Sequence, residues 1–265
     1  MRITASILII ALASMSAAAE EPKNTYPTTI DLNGQLHRQV VVDREAGQYL
    51  GHPTTCLLED GKTMLCVYPK GHGRGAIVYK RSTDGGLTWS DPVTVFDLPD
   101  RDDSMNLLVQ LANGTLVAGI VSYTWDDGQG HGLGWEADIY VIRSRDQGRT
   151  WSDPRRIDVV PLDWIYPFGR PVELEDGTLL LSGYGGYLHR NESKKSKSKW
   201  GHTCFVVRSH DQGQTWGEYT VVAKHFNEIC MARLPSGKLA AVLRSDKGST
   251  YLSFSSAEGR SWSQP

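Results

Sequence analysis

The stretch Arg143-Ser144-Arg145-Asp146-Gln147-Gly148-Arg149-Thr150-Trp151 contains a pattern, Ser-x-Asp-x-Gly-x-Thr-Trp, that recurs along the chain. Copies stand at Ser82-Thr83-Asp84-Gly85-Gly86-Leu87-Thr88-Trp89 and at Ser209-His210-Asp211-Gln212-Gly213-Gln214-Thr215-Trp216. A fourth runs from Ser255 to Trp262, with Ala257 in place of the Asp. The tryptophans Trp89, Trp151, Trp216 and Trp262 are 62, 65 and 46 residues apart. A motif repeated at such intervals marks a supersecondary unit that cannot bury its apolar face alone and must stack on its neighbours. Its local chemistry is that of a turn. Ser and Asp side chains accept backbone N–H groups a few residues on, Gly supplies positive φ, and Trp covers the turn with apolar surface. Each copy therefore reads as a self-capped hairpin turn.

A second repeat alternates with the first. Glu59-Asp60-Gly61-Lys62, Ala112-Asn113-Gly114-Thr115, Glu175-Asp176-Gly177-Thr178 and Pro235-Ser236-Gly237-Lys238 each place a turn residue and Gly between apolar strands, a strong short-range hairpin signal. The repeating order becomes strand, Gly turn, strand, variable loop, strand, capped turn, strand. This is an all-β chain of four-stranded antiparallel blades, a β-propeller. Blade one is expected over residues 52 to 96, blade two over 104 to 160, blade three over 168 to 224 and blade four from 228 onward. Alternation over Thr28 to Val42 predicts a leading strand that closes the ring. The capped turns and Gly turns fall at one end, so the loops Pro69–Gly75, Leu98–Ser104, Thr124–Glu136, Pro161–Gly169 and Gly183–Trp200 gather at the other, where sites are usually built. They carry Trp125, Trp135, Trp164, Tyr166, Tyr187 and Trp200, which suit either stacking on sugar rings or packing.

The Ser-x-Asp-x-Gly-x-Thr-Trp copies resemble the Asp-box, or BNR, repeat of sialidases and related β-propellers, and they span nearly the whole chain after its first segment. The resemblance implies a sialidase-like propeller, six-bladed in that family, of which about four blades are present. It leaves function open, because Asp boxes also occur in other glycosidases, in lyases and in non-catalytic proteins.

The 265 residues, 40% of them hydrophobic, suffice for one domain with a real core. A net charge of −2 implies no general polyanion partner. Arg2, the apolar run Ile3 to Met15 and Ser16-Ala17-Ala18-Ala19-Glu20 follow the order of a secretory signal peptide, so residues 1–19 are expected to be removed and the protein to be secreted, extracellular or periplasmic. The run is short for a membrane span. Residues 20–265 then form the propeller domain. Export permits disulfides among Cys56, Cys66, Cys204 and Cys230, with Cys56 and Cys66 flanking one hairpin, while buried free thiols satisfy the sequence as well. The Cys spacing is not that of a zinc site. Nothing resembles a phosphate loop, a nucleotide fingerprint, a Ser-His-Asp order or a nucleic-acid module, so no cofactor and no nucleic acid are expected. After the last box, at Trp262-Ser263-Gln264-Pro265, no further strand follows. Either the chain is part of a longer protein or its final blade is completed from elsewhere, and unpaired inner edges are expected to drive self-association.

The stretch with most chemistry runs from His225 to Arg244. Glu228 and Arg244 are symmetric about Ser236, so a hairpin closed at the Gly turn sets them opposite each other at its open end, the site end of the propeller. By itself such a pair also reads as a cross-strand ion pair worth ~0.2–1 kcal/mol. The resemblance adds roles: in sialidases an Asn-Glu before an inner strand supplies the carboxylate that activates a tyrosine nucleophile, and an Arg at the end of the next strand belongs to the triad that holds the sugar carboxylate. Glu228 and Arg244 match those positions, and a bidentate guanidinium fork suits a carboxylated sugar. Other parts of the pattern are replaced. Gly51, in Tyr49-Leu50-Gly51-His52-Pro53, stands where the first triad arginine is expected. The loop Pro69 to Ala76 lacks the acid/base Asp, and the third arginine and the tyrosine would follow Pro265. His72 and Arg74 in that loop, Arg170 and Asp103 are the further candidates for substrate contact. The Lys194 to Lys199 tip reads as a charged surface loop. The expectation is an exo-sialidase-like hydrolase acting on sialic acid or a similar acidic sugar of glycans. The alternatives are a non-catalytic glycan-binding propeller, or a propeller glycosidase or lyase of other specificity using His72 and Arg74.

Overall fold

The computed structural model describes residues 30–71, 75–125, 133–187 and 202–265. It holds four antiparallel sheets in a propeller arrangement, each sheet running in chain order. Blade one is β1 (Thr54–Leu57), β2 (Met64–Pro69), β3 (Ile77–Ser82) and β4 (Val93–Phe96). Blade two is β5 (Asp102–Gln110), β6 (Leu116–Trp125), β7 (Leu133–Ser144) and β8 (Arg155–Arg156). In blade three β9 (Trp164–Pro167) and β10 (Val172–Glu173) both pair with β11 (Leu179–Gly186), followed by β12 (Thr203–Ser209) and β13 (Gly217–Lys224). Blade four is β14 (Ile229–Arg233), β15 (Leu239–Arg244) and β16 (Thr250–Ser255).

Both repeated turns have the predicted construction. In the Gly turns Leu58, Leu111, Leu174 and Leu234 each accept a bond from the following Gly N–H at 2.8–3.0 Å and donate across the turn to residue 63, 115, 178 or 238 at 2.8 Å. Gly114 and Gly177 both sit at φ 84°, in the left-handed region that L side chains avoid. In the first Asp box Ser82 Oγ donates to Asp84 Oδ1 at 2.8 Å and accepts Gly86 N–H at 2.8 Å. Asp84 also takes the Thr88 N–H and hydroxyl at 2.9 and 2.7 Å, and Trp89 Nε1 donates to Gly86 O at 3.0 Å. The third box repeats this network around Asp211.

Strand alternation then divides each blade into two faces, and the cores lie between blades. Leu65, Val67 and Ile77 of blade one meet Leu108, Leu116 and Ile120 of blade two. Val117, Ile139 and Val141 of blade two meet Leu179, Phe205 and Val207 of blade three. Leu180, Val206 and Val222 of blade three meet Ile229, Leu239 and Leu243 of blade four. Cys66, Tyr68 and Val78, on the other face of blade one, are covered by Val42 and Leu50 of the preceding segment. On blade four Val242, Leu252 and Phe254 alternate with the buried Ala241, Leu243 and Ser253 and are exposed.

Several expectations need correction. Residues 30–42 of the proposed leading strand form no strand; residues 28 and 29 lie outside the described residues. The segment folds on itself, since Asn33 N–H goes to Asp31 Oδ1 and Gln35 N–H to Leu32 O before a 3-10 turn at Leu36–Arg38. By contacts Met1–Gln39 is one unit and Val40–Pro265 another. Blade three begins at Trp164, inside a predicted loop, because β9 pairs with the end of β11. Residues 102–104, 124–125, 133–136 and 183–186 likewise extend strands instead of looping. Of the two readings of the cysteines the free-thiol one holds: all four are free, with Cys56, Cys66 and Cys204 buried and Cys230 exposed. Cys56 pairs with Leu65 and Cys66 with Thr55, one rung apart, so their side chains leave opposite faces of the sheet.

Candidate functional site

The Gly237 turn closes the β14–β15 hairpin in the predicted register, Arg233 opposite Leu239 and Ile229 opposite Leu243. One rung further Arg244 N–H donates to Glu228 O at 3.0 Å, and Arg244 Nη1 reaches Glu228 Oε1 at 2.8 Å. The side chains are 60% and 34% exposed, so this is a wet pair at the hairpin's open end, the end away from the Asp boxes. Asn227 ties the next loop to it: its N–H bonds Arg244 O at 3.1 Å and its Nδ2 donates to Asp246 Oδ1 at 2.6 Å. The Cys204 thiol donates to Asn227 O at 2.8 Å, and burial pushes that thiol far above the ordinary range.

Blade three supplies an aromatic wall. Tyr184 lies 5.8 Å from both Trp164 and Tyr166, 6.4 Å from Phe168 and 5.9 Å from His202, ring centre to ring centre. Burial raises the Tyr184 hydroxyl far above its usual range, the nearby Tyr166 and Glu228 add to this, and Arg244 opposes it. Tyr184 is thus within electrostatic reach of the Glu228–Arg244 pair and stays a neutral donor and acceptor. Burial lowers His202, with Asp246 opposing, so its imidazole is neutral near pH 7. The hairpin end thus sets one exposed guanidinium, Arg244, against the Glu228 carboxylate, with Asp246 on the adjoining loop and the Tyr184 wall within electrostatic reach.

Of these groups the sequence reading missed Tyr184, His202 and Asp246. A signal for Tyr184 was present in Gly183-Tyr184-Gly185-Gly186. A Cβ on Gly183 would lie 2.7 Å from Tyr166 O and one on Gly185 2.2 Å from Trp164 O, so these glycines let β9 approach and set the aromatic wall. Of the loop aromatics, Trp164 is buried, Tyr166 half-buried and Tyr187 exposed. Trp200 and the side chains of Trp125 and Trp135 lie outside the described residues.

The remaining candidates do not join this cluster. Arg170 sits between β9 and β10 and donates to Thr55 O of blade one at 2.8 Å. Asp103 is buried, accepts Leu98 N–H at 3.1 Å, and has its carboxyl pushed up to about 6 by burial. Its neighbour Asp102 is the one that reaches the loop of blade one, accepting Gly75 N–H at 2.8 Å. His72 and Arg74 lie outside the described residues. At Gly51 a Cβ would meet Tyr49 Cε1 at 2.4 Å and Gly71 O at 3.0 Å, which explains the small residue there.

The family described as "BNR repeat-like domain" matches residues 123–265, more than half of the chain. A sialidase from Bacteroides fragilis is 23% identical over 95% of this chain and 51% of its own. Among solved structures, a Dyadobacter fermentans protein of unknown function superposes with a TM-score of 0.68 at 20% identity, over 84% of this chain and 70% of its own. Hadza microbial sialidase Hz136 follows with a TM-score of 0.66 at 20% identity, over 82% of this chain and 46% of its own. The chain spans about half the length of the curated relative it matches.

Proposed function

The chain belongs to the BNR repeat-like domain family, and from that premise we propose that it is a secreted sialidase-like glycoside hydrolase acting on terminal sialic acid or a similar acidic sugar. One observation carries the reading: Arg244 and Glu228 meet at 2.8 Å at the open end of a hairpin, beside the Tyr184 wall. In this reading the Arg244 fork holds the sugar carboxylate, and Tyr184, Tyr166 and Phe168 flank the ring. Glu228 then acts as the general base, accepting the nucleophile's hydroxyl proton and so making that oxygen more nucleophilic. The similarity to sialidases supports the substrate class. Residues 1–19 are assigned as the export signal and residues 20–265 as the propeller domain.

Gly51 favours a second reading, a non-catalytic glycan binder. The site end of blade one has no arginine at that position, so one arm of the carboxylate grip is absent there.

Hydrolysis of a fluorogenic sialoside, measured beside binding of free sialic acid, separates the two. For the hydrolase, Glu228→Gln abolishes turnover with binding largely kept, and Arg244→Lys weakens binding by breaking the fork. The binder shows only the Arg244 effect. Wild-type protein without turnover, together with binding that ignores Arg244→Lys, rejects both and leaves a structural ion pair.

A further inference from the structure

A repeated arginine enters three of the four Asp boxes, as Arg81, Arg143 and Arg208 directly before Ser82, Ser144 and Ser209. Two of the three peg their blade to the next one. Arg81 Nη1 donates to Gln147 O at 2.7 Å, in the box of blade two. Arg208 Nη2 donates to Glu258 O at 2.9 Å, in the box of blade four, and its Nη1 reaches Glu218 O and Thr220 Oγ1 at 3.2 and 3.1 Å. Gln147 and Glu258 hold φ of 61° and 53°, and the equivalent residue of blade three, Gln212, holds 62°.

Arg143 departs from this rule. Its Nε and Nη2 are buried and have no hydrogen-bond partner among the described residues. The neighbouring indole departs as well: Trp151 Nε1 is buried without a partner, whereas Trp89, Trp216 and Trp262 each donate to a box carbonyl. Buried donors without acceptors are rare in native proteins. The guanidinium lines a cavity of about 330 Å³ together with Arg145, Arg155, Ser152 and Gln214. Among the described residues no carboxylate lines this cavity. Burial lowers the Arg143 pKa first, and Arg145 and Arg155 lower it further, against one nearby carboxylate, Asp211.

We propose that this cavity, at the Asp-box end of blades two and three and separate from the Glu228–Arg244 site, binds a tetrahedral oxyanion of the sulfate or phosphate kind through Arg143, Arg145 and Arg155. Planar guanidinium forks match such oxygens, and the ion supplies the acceptors that Arg143 lacks. Free inorganic sulfate and a sulfate ester on a sugar share this chemistry. Oxyanion binding at this cavity is independent of the proposed hydrolase activity, and sialoside turnover is read separately.

The test is calorimetric titration of the whole chain with sodium sulfate and, separately, with glucose 6-sulfate, at constant ionic strength held with chloride. Saturable binding of one sulfate per chain is expected. It should weaken about tenfold or more in Arg143→Gln, the loss of a charge-assisted hydrogen bond. Arg155 is exposed, so Arg155→Gln keeps the test valid if Arg143→Gln fails to fold. Binding of both ligands supports the site with a sulfated sugar as occupant; binding of inorganic sulfate alone supports it with the free ion. No saturable sulfate binding, or binding unchanged by Arg155→Gln and by a folded Arg143→Gln, overturns the proposal.

Discussion

Replacing Asp146 by Ala removes the carboxylate that accepts the Thr150 N–H at 2.9 Å, the Ser144 hydroxyl at 2.8 Å and the Thr150 hydroxyl at 2.6 Å. Three bonds to a charged acceptor would be worth several kcal/mol if buried, but Thr150 faces solvent and water replaces much of what is lost. The fourth box bounds the remainder, because it has Ala257 where the others have Asp. Gly259 N–H still bonds Ser255 Oγ at 2.9 Å, Trp262 Nε1 still bonds Gly259 O at 3.0 Å, and Glu258 keeps its left-handed φ. The turn thus keeps its shape without the carboxylate, and the cost of Asp146→Ala falls at the scale of losing a cap, about 1–2 kcal/mol. For a domain of this size that lowers Tm by about 2–8 °C. Urea unfolding followed by tryptophan fluorescence should show a lower midpoint at unchanged slope, with sialic acid binding intact. An unchanged midpoint, a loss beyond about 4 kcal/mol, or weakened glycan binding would refute the reasoning, the last by placing the boxes at the wrong end.

Acid should unfold the repeats in a defined window. Asp84 is held at about 2, first by the Thr88 hydroxyl, then by the Thr88 N–H and the Ser82 hydroxyl; Asp146 and Asp60 are held at about 2 in the same way. A depressed carboxylate contributes stability above its unfolded value of about 4 and loses it as pH falls toward 2, so Asp84→Asn combined with Asp146→Asn should flatten the pH dependence of Tm between pH 4 and 2. Gly148→Ala should cost more than Gly177→Ala: both sit at a φ of 83–84°, but only at Gly148 does a Cβ approach Leu65 Cδ1, at 2.8 Å, so equal urea midpoints would show that strain alone matters. Self-association should appear in sedimentation velocity across protein concentrations and decrease with Leu252→Lys, which charges the exposed Val242, Leu252 and Phe254 face; a monomer at all concentrations would reject it.

Much of the fold was legible because its determinants are local. The capping bonds that shape each Asp box and Gly turn join residues at most five positions apart, so their spacing predicted both the strand order and which connections share an end. The Glu228–Arg244 contact was legible for the same reason, since a two-strand hairpin with a known turn fixes its own register. The leading strand failed on the same logic in reverse: alternation over residues 30–42 says nothing about whether a partner strand is present, and the segment bonds to itself.

What only the tertiary structure decided lies between blades. Whether Asp102 or Asp103 faces the rim depends on strand phase at the entry to β5, which one residue inverts. The Tyr184 wall depends on β9 pairing with β11, a contact made possible by the glycines around Tyr184 but not demanded by them. The three box arginines are indistinguishable in sequence, yet Arg81 and Arg208 reach the carbonyl of the next blade and Arg143 does not. The repeat specifies each blade's internal bonds, within a few residues. The distance and rotation between successive blades come from the side chains packed between them, and these set where a long guanidinium ends.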